Sequence, residues 1–406
     1  MQCYQTSFSA CVGQTDTENI IGLGTYQYCV DHNEFEKSLR LLVFLRMKKR
    51  MNEIKSFMEA NKIEHDIFDK LVANKLITSF ILNPNDKQNF KNHLFIDLMS
   101  NKPELTINNF KRTIFIIIGC GGIGNFVSYA LASFYPKKLI LLDKDTVDPS
   151  NLNRQFLFDK NYISQYKTSI FIIIGCGGIE NFVSYALASF YPKKLILLDK
   201  DTVDPSNLNR QFLFDKNYIS QYKTSTIKQA LSSRFDINIE IVDDFASEYN
   251  LEEIFSKHKK ENLFGIVSGD NPNTVQLATR FFCKCRIPFL NIGYLNDISL
   301  IGPFYIPSLS CCPFCHNSFA LDDKKDSDKN LDICLINDRM QAPSSFLNNS
   351  IASSLAISDI IQFMSDDFNS IKSLNCRFGV DNKTFKTYTL PSSIDHKCVF
   401  CSNHNL

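Results

Sequence analysis

The sequence predicts an α/β fold: a Rossmann-like, mostly parallel sheet with helices on both faces, zinc-clipped C-terminal strands and a small N-terminal α+β domain of winged-helix-like shape. Three observations carry this. First, the apolar run IFIII at 114–118 meets a glycine turn, a helical pattern at 125–135 and a second apolar run, KLILLD at 138–143. Continuous apolar runs joined by a helix suit a parallel sheet covered on both faces. Second, strand and helix patterns go on alternating from 226 to about 295. Third, two C-x-x-C pairs, Cys312/Cys315 and Cys398/Cys401, follow the alternating region.

Taken in order, residues 1–33 are polar and mixed, with periodicity too weak to assign. Residues 34–80 carry apolar positions at helical spacing, Phe35-Leu39-Leu42 and Ile54-Phe57-Met58, and a short helix from Asp66 to Leu76 leads into the strand ITSFIL. A turn cluster follows at 83–86. We assign 34–108 to a small domain. A winged-helix shape suits DNA, but 44 basic against 43 acidic residues give a net charge of +1. A nucleic-acid surface needs a basic excess, so peptide recognition or simple packing is the better reading. Beyond the βαβ unit the expected elements are helices at 226–234, 251–260, 273–285 and 348–365. The expected strands are INIEIV, FGIVSGD, FLNIGY, 298–306 and a pair within 376–390, with a long loop at 322–345.

No apolar run approaches the ~20 residues of a membrane-spanning helix, and the first thirty residues lack a secretory pattern. The expectation is a cytoplasmic protein with no membrane partner, whose fourteen cysteines are reduced thiols.

The chain contains a tandem repeat. Residues 114–169 and 170–225 are the same over 56 positions except one, where Gly124 becomes Glu180. Two copies are too few for a solenoid, and near-identity points to a recent duplication. Without one copy, 350 of the 406 residues remain.

Gly119, Gly121, Gly122 and Gly124 follow a strand and open a helix. Glycines there allow a tight turn and let backbone N–H groups approach a phosphate at the positive helix end. Asp143, at the end of the second strand, is placed to hold a ribose, as in a nicotinamide enzyme. The residues that follow fit a nucleoside triphosphate better: Asp145, Asn153, Arg154, Gln155 and Lys167, with Asp270 at a later strand end. Arg and Lys neutralise phosphate charge and an acid holds Mg²⁺. Asp199, Arg210 and Lys223 are the second-copy counterparts of Asp143, Arg154 and Lys167.

These motifs, GCGGIG, LLDKDTVDPSNLNRQ, the lysine after an ISQ turn and SGDN with a downstream Arg280, resemble the ThiF/MoeB/HesA superfamily of ubiquitin-activating-enzyme-like adenylating enzymes. The segments NIGYLNDISLIGPFYIP and LINDRMQAPSSFLNNSIA are similar to the peptide-adenylating enzymes of microcin C biosynthesis within it. The resemblance implies a ThiF-like adenylation domain over 109–402 and ATP·Mg²⁺ as cosubstrate. It implies attack of a short peptide's C-terminus on the α-phosphate, a leader-gripping N-terminal domain and a homodimer. By position, the glycine loop cradles phosphate, Asp143 binds ribose, Arg154 and Lys167 stabilise phosphate charge, and Asp270 holds Mg²⁺. Lys91 stands where the superfamily often has an arginine reaching its partner's ATP, and a lysine lacks the bidentate fork. The alternatives are activation of a sulfur-carrier or ubiquitin-like protein, and a non-catalytic peptide- or nucleotide-binding remnant.

Cys312, Cys315, Cys398 and Cys401 are the expected ligands of a structural Zn²⁺, each C-x-x-C turn giving two thiolates. Cys311 and His316 are adjacent alternatives, and Cys334 is the one candidate for thioester chemistry. His258 and His396 read as surface residues. Because the copies match, the Arg and Lys of the nucleotide site can come from either copy, and the contiguity of copy two with INIEIV favours its second half in the sheet. Glu180 is a poor replacement for a phosphate-loop glycine, so the loop of copy one is expected to be the cradle. Looping out the other 56 residues costs about 3–4 kcal/mol, against a typical stability of roughly 5–15 kcal/mol.

Overall fold

The computed structural model describes residues 3–15, 17–23, 26–143, 169–268, 272–317 and 331–402, which divide into two compact units. The first comprises 1–108 with 295–298 and 321–344, the second the remainder.

In the first unit, β1 (Cys3–Thr6) lies between β5 (Lys49–Arg50) and β6 (Ile77–Thr78), antiparallel to both. Strands β2 (Ala10–Gln14), β3 (Asn19–Leu23) and β4 (Tyr26–Val30) form an antiparallel meander. So the first 33 residues, unassigned from sequence, supply four strands. Helices α1 (His32–Phe44), α2 (Met51–Ala60) and α3 (His65–Ala73) fill the span read as helical, and α1 begins on the side chain of Asp31 as N-cap. Phe35, Leu39 and Leu42, spaced along one face of α1, pack with Ile54, Phe68 and Ile21 into one core. Helices α4 (Phe90–Met99) and α5 (Pro103–Arg112) follow.

In the second unit, copy one forms β7 (Ile114–Ile118), α6 (Gly122–Ala132) and β8 (Lys138–Leu142). Copy two forms β9 (Ser169–Ile174), α7 (Gly178–Ser189) and β10 (Lys194–Leu198). Next come α8 (Lys223–Ser232), β11 (Ile239–Val242), α9 (Glu248–His258), β12 (Asn262–Val267), α10 (Pro272–Lys284) and β13 (Phe289–Leu295). The unit ends with β14 (Ile298–Tyr305), α12 (Phe346–Met364), β15 (Cys376–Asp381) and β16 (Thr387–Pro391). An eight-stranded sheet runs β11-β10-β9-β12-β13-β14-β15-β16. Its first five strands pair in parallel and its last pair is antiparallel. The mostly parallel sheet is therefore as expected.

The repeat resolves in favour of copy two. Strands β9 and β10 lie inside the large sheet, whereas among the described residues β7 and β8 pair only with each other, in a separate two-stranded parallel sheet. Ile174 at the end of β9 is 1% exposed and its counterpart Ile118 is 83% exposed. Copy two keeps its place because the chain runs from it through α8 directly into β11. Copy one becomes the insertion before β9. It is held by the aromatic side chains of α6: Phe126 and Tyr129 meet Phe346 at 5.1 and 4.9 Å between ring centres, and Tyr129 donates a hydrogen bond to the Leu208 carbonyl.

Two other expectations change. Residues 331–337, inside the span read as a loop, form α11 (Leu331–Asn337), which puts Ile333 and Ile336 into the first unit's core. Cys334 sits half-buried on it. His258, read as a surface residue, is partly buried with Nε2 3.3 Å from Glu240 and 3.4 Å from Lys194.

Candidate nucleotide site and thiol cluster

The order of the parallel strands fixes where a ligand can enter. Strand β9 has β10 on one side and β12 on the other, so the chain reverses direction across the sheet at β9. Ligands of open α/β sheets bind in the crevice beyond the carboxyl ends of strands at such a switch point. A cleft of about 250 Å³ lies there, lined by the ends of β9, β10 and β12 (Ile174, Leu198 and Ser268), with Asp199, Asp201 and Lys223 on its wall.

The floor is the loop from β9 to α7. Gly175 has φ +104°, which only glycine adopts without strain. Asp199 ties the loop to β10: its Oδ2 accepts from the Cys176 N–H at 2.6 Å and its Oδ1 from the Asp201 N–H at 2.7 Å. Gly178 opens α7 close to α12, where a Cβ would lie 2.5 Å from Asn349 Oδ1. Asn181, fully buried, holds the next segment through a bond from the Leu213 N–H at 2.9 Å.

Glu180 changes what this loop can do. The side chain is 1% exposed and folds back into the loop. A Cβ on Gly175 would be 2.6 Å from its Oε1, and one on Gly177 3.2 Å from its Oε2. The carboxylate therefore stands against the loop backbone at the positive end of α7, where an incoming anion would sit. Burial pushes the Cys176 thiol well up, and the carboxylates of Asp199 and Glu180 add to it.

The expected site residues divide accordingly. Asp199 and Lys223 come together in the cleft, Lys223 Nζ lying 3.0 Å from Asp201 Oδ2. Arg210 does not line it. Its Nη1 donates to the Ser206 carbonyl at 2.6 Å and to Asn209 Oδ1 at 2.9 Å. Gly119, Gly121, Gly122, Gly124 and Asp143 are outside the cleft, on copy one, so the expectation of a copy-one cradle is corrected. The physical reason is that a βαβ unit enters a sheet as a whole, and the unit contiguous with β11 is copy two. Asp145, Asn153, Arg154, Gln155, Lys167 and Asp270 lie outside the described residues. Asp201 is a cleft residue that sequence reasoning missed, while Glu180, read from the sequence as a poor replacement for a loop glycine, lines the cleft. Lys91 is engaged within the first unit, donating to Gln341 Oε1 at 2.9 Å and to the Ala342 carbonyl at 3.0 Å.

The four predicted cysteines converge. Cys312, Cys315, Cys398 and Cys401 place their sulfurs within 4.8 Å of one another. Individual separations are 3.6 Å (Cys312–Cys398), 3.9 Å (Cys312–Cys315) and 3.4 Å (Cys315–Cys401). Four thiolates around one Zn²⁺ at about 2.3 Å are about 3.8 Å apart, so the donor set fits the ion. The phenylalanines inside the two turns, Phe314 and Phe400, stack at 4.2 Å, and Arg280 stands 5.3 Å from the Phe400 ring. Of the adjacent alternatives, Cys311 donates its backbone N–H to Asn375 Oδ1, and His316 Nε2 lies 3.1 Å from Ser393 Oγ. Among the described residues no helix is long and apolar enough to cross a membrane.

Comparisons with known proteins agree with this architecture. The SUMO-activating enzyme subunit uba-2 of Caenorhabditis elegans is 40% identical over 87 residues, 20% of this chain and 14% of that protein. SUMO-activating enzyme subunit 2 of Dictyostelium discoideum is 30% identical over 169 residues, 39% of this chain and 23% of that protein. The chain thus spans less than a quarter of the length of these relatives. A crystal structure of E. coli MccB with MccA-N7isoASN aligns over 99% of this chain and 100% of that one, with a TM-score of 0.51 at 21% identity. A second E. coli MccB structure aligns over 100% and 98%, again with a TM-score of 0.51 at 21% identity. That likeness shows the fold. The ThiF family matches residues 96–171 and again residues 167–399, the first match ending where copy two begins and the second spanning the whole eight-stranded sheet. On that coverage, the chain belongs to the ThiF family.

Proposed function

We propose that this chain derives from, and retains the framework of, an ATP-dependent enzyme that adenylates the C-terminus of a short peptide, as in microcin C-type nucleotide–peptide formation. The observation that carries the reading is the cleft at the switch point, where a glycine loop, a helix N-terminus, Asp199 and Lys223 meet. In the reaction, an oxygen of a peptide C-terminal carboxylate, or the nitrogen of a terminal amide, bonds to the α-phosphorus of ATP. The bond to the bridging oxygen of pyrophosphate breaks, pyrophosphate leaves with its electron pair, and an attacking amide nitrogen gives up one proton to water. Asp199 is placed to accept from ribose hydroxyls. Lys223, now paired with Asp201, is placed to turn toward phosphate. Arg210, Asn209 and Gln211 stand on the segment between them. Mg²⁺ would screen the phosphates, and Asp270 is its proposed ligand. Zn²⁺ in the four-thiol cluster would be structural, joining the 312–315 turn to the 398–401 turn.

The peptide is proposed because the fold is that of MccB, crystallised with MccA-N7isoASN, and because the segments at 291–307 and 335–352 carry the closer sequence similarity. A homodimer and a cytoplasmic location belong to the same reading. A second reading, a nucleotide-binding remnant without catalysis, is favoured by one observation: the buried Glu180 carboxylate in the loop. The test is ATP–pyrophosphate exchange with short peptides ending in Asn and, separately, with a ubiquitin-like protein ending in Gly-Gly, on the full chain and on the chain lacking 170–225. Exchange driven by the peptide supports the proposal. Exchange driven only by the Gly-Gly protein reassigns the substrate, and no exchange in either chain supports the remnant.

A further inference from the structure

We propose that the cleft at the switch point takes a nucleoside, a base on a ribose without phosphates, in preference to ATP, and that the Glu180 side chain makes the selection. This rests on the nucleotide-site reading above and names the ligand that the cleft of this chain accepts as it stands.

The part of the cleft suited to a ribose is intact. Asp199 accepts one bond at each oxygen, from the Cys176 N–H at 2.6 Å and from the Asp201 N–H at 2.7 Å. A carboxylate has about four lone-pair sites, so both oxygens keep capacity for the two hydroxyls of a ribose. Phe245 lines the same cleft and is 58% exposed, with Lys200 Nζ 3.6 Å from its ring centre. An exposed aromatic ring in a cleft that also holds a ribose acceptor suits a planar base, because every base has a face that stacks.

The part suited to phosphates is taken. A phosphate at a helix N-terminus is held by backbone N–H groups that it touches directly, and glycines leave that backbone bare. Here the two Glu180 oxygens stand 2.6 and 3.2 Å from where a Cβ on Gly175 and on Gly177 would lie, and the side chain is 1% exposed. The cations are committed as well. Lys223 Nζ lies 3.0 Å from Asp201 Oδ2, and Lys200 stands on the Phe245 ring. Against these two cations, the described residues of the cleft carry the four carboxyl groups of Glu180, Asp199, Asp201 and Asp244. A triphosphate meets a covered loop and a surplus of acids; an uncharged nucleoside requires neither a bare loop nor a free cation. Such selection works by exclusion of the competing ligand. The volume of about 250 Å³ is also below the roughly 300–1,000 Å³ usual for ligand pockets, which favours the smaller molecule.

The experiment is calorimetric titration of the full chain with adenosine and, separately, with ATP and Mg²⁺. Adenosine should bind tighter than ATP by about tenfold or more. Glu180→Gly should reverse that order, because it bares the loop and removes one carboxyl group. If the glycine variant does not fold, Glu180→Ser takes its place, since its side chain ends short of the loop backbone. Asp199→Asn should weaken adenosine binding about tenfold, which places the ligand in this cleft rather than on copy one. If the full chain and the Glu180 variants bind neither ligand, the nucleotide-site reading itself fails. Three results overturn the nucleoside inference and leave that reading standing: ATP binding to the full chain as tightly as adenosine, a Glu180 variant that binds ATP while the full chain does not bind adenosine, or an order unchanged by removal of Glu180. Adenosine affinity unchanged by Asp199→Asn overturns it too, by placing the nucleoside outside the cleft.

Discussion

The carboxylate of Glu180 lies so close to the backbone of Gly175 that a Cβ there would be 2.6 Å from Oε1. The glycine loop between β9 and α7, in the copy that occupies the sheet, is therefore already filled by a carboxyl group. Replacing Glu180 by Gly clears it and leaves both copies identical. In the full chain this substitution should raise ATP–pyrophosphate exchange by about tenfold to a hundredfold, the scale of one to two units of 1.4 kcal/mol. The rate is measured with labelled pyrophosphate under saturating peptide.

The packing of α7 on α12 depends on Gly178, since a Cβ would meet Asn349 Oδ1 at 2.5 Å. Gly178→Ala should destabilise the second unit by roughly 1–3 kcal/mol, the usual cost of forcing a methyl into a filled contact. Urea denaturation would show a lower midpoint with an unchanged slope.

The four-thiol cluster predicts about one Zn²⁺ per chain by elemental analysis. Cys398→Ala should remove it and lower the melting temperature of the second unit, because structural zinc contributes directly to folding. A strong chelator should have the same effect on the unmodified chain and none on the variant. Retained stoichiometric zinc in Cys398→Ala would assign the metal elsewhere.

Asp97 gives the first unit a pH dependence. Burial pushes its carboxyl up to about 6, and the opposing pull of Lys75 and of a hydrogen bond from Thr78 does not cancel it. The folded value is above the unfolded one, so the protonated form is favoured by folding. The stabilisation is fully present below about pH 4 and is lost as pH rises through about 6. Asp97→Asn should flatten this dependence and raise stability near pH 8 by at most about 3 kcal/mol. Melting temperatures of both chains between pH 4 and 8 are the measurement.

Copy one exposes Ile116, Ile118 and Ile123. Exposed apolar side chains on a two-stranded sheet and the helix beside it in sequence invite association. Deleting 114–169 should reduce binding of a hydrophobic dye and raise the concentration at which light scattering begins.

Most of the architecture was legible because it is periodic. The alternating runs from 226 to 295 and the two C-x-x-C turns could be read by spacing, and α8, β11, α9, β12, α10 and β13 lie where those runs stand. The strands of residues 3–30 were not legible. They are four or five residues long, too short to show a period, and their pairing is set by contacts with the helical core rather than by their own pattern. Helix α11 was hidden for a related reason: only seven residues long, its apolar positions are too few to show a period. The choice between copies was beyond any local signal, since 55 of 56 positions agree. It depends on which unit is contiguous with the rest of the sheet, and so the cleft contains Glu180 instead of Gly124.

The most direct test compares the two 350-residue chains obtained by deleting 170–225 or 114–169, which share every residue except the glycine or glutamate of the phosphate loop. Equilibrium ATP binding by calorimetry should give at least a hundredfold tighter association for the glycine chain. Equal affinities, with both chains folded, would contradict the account.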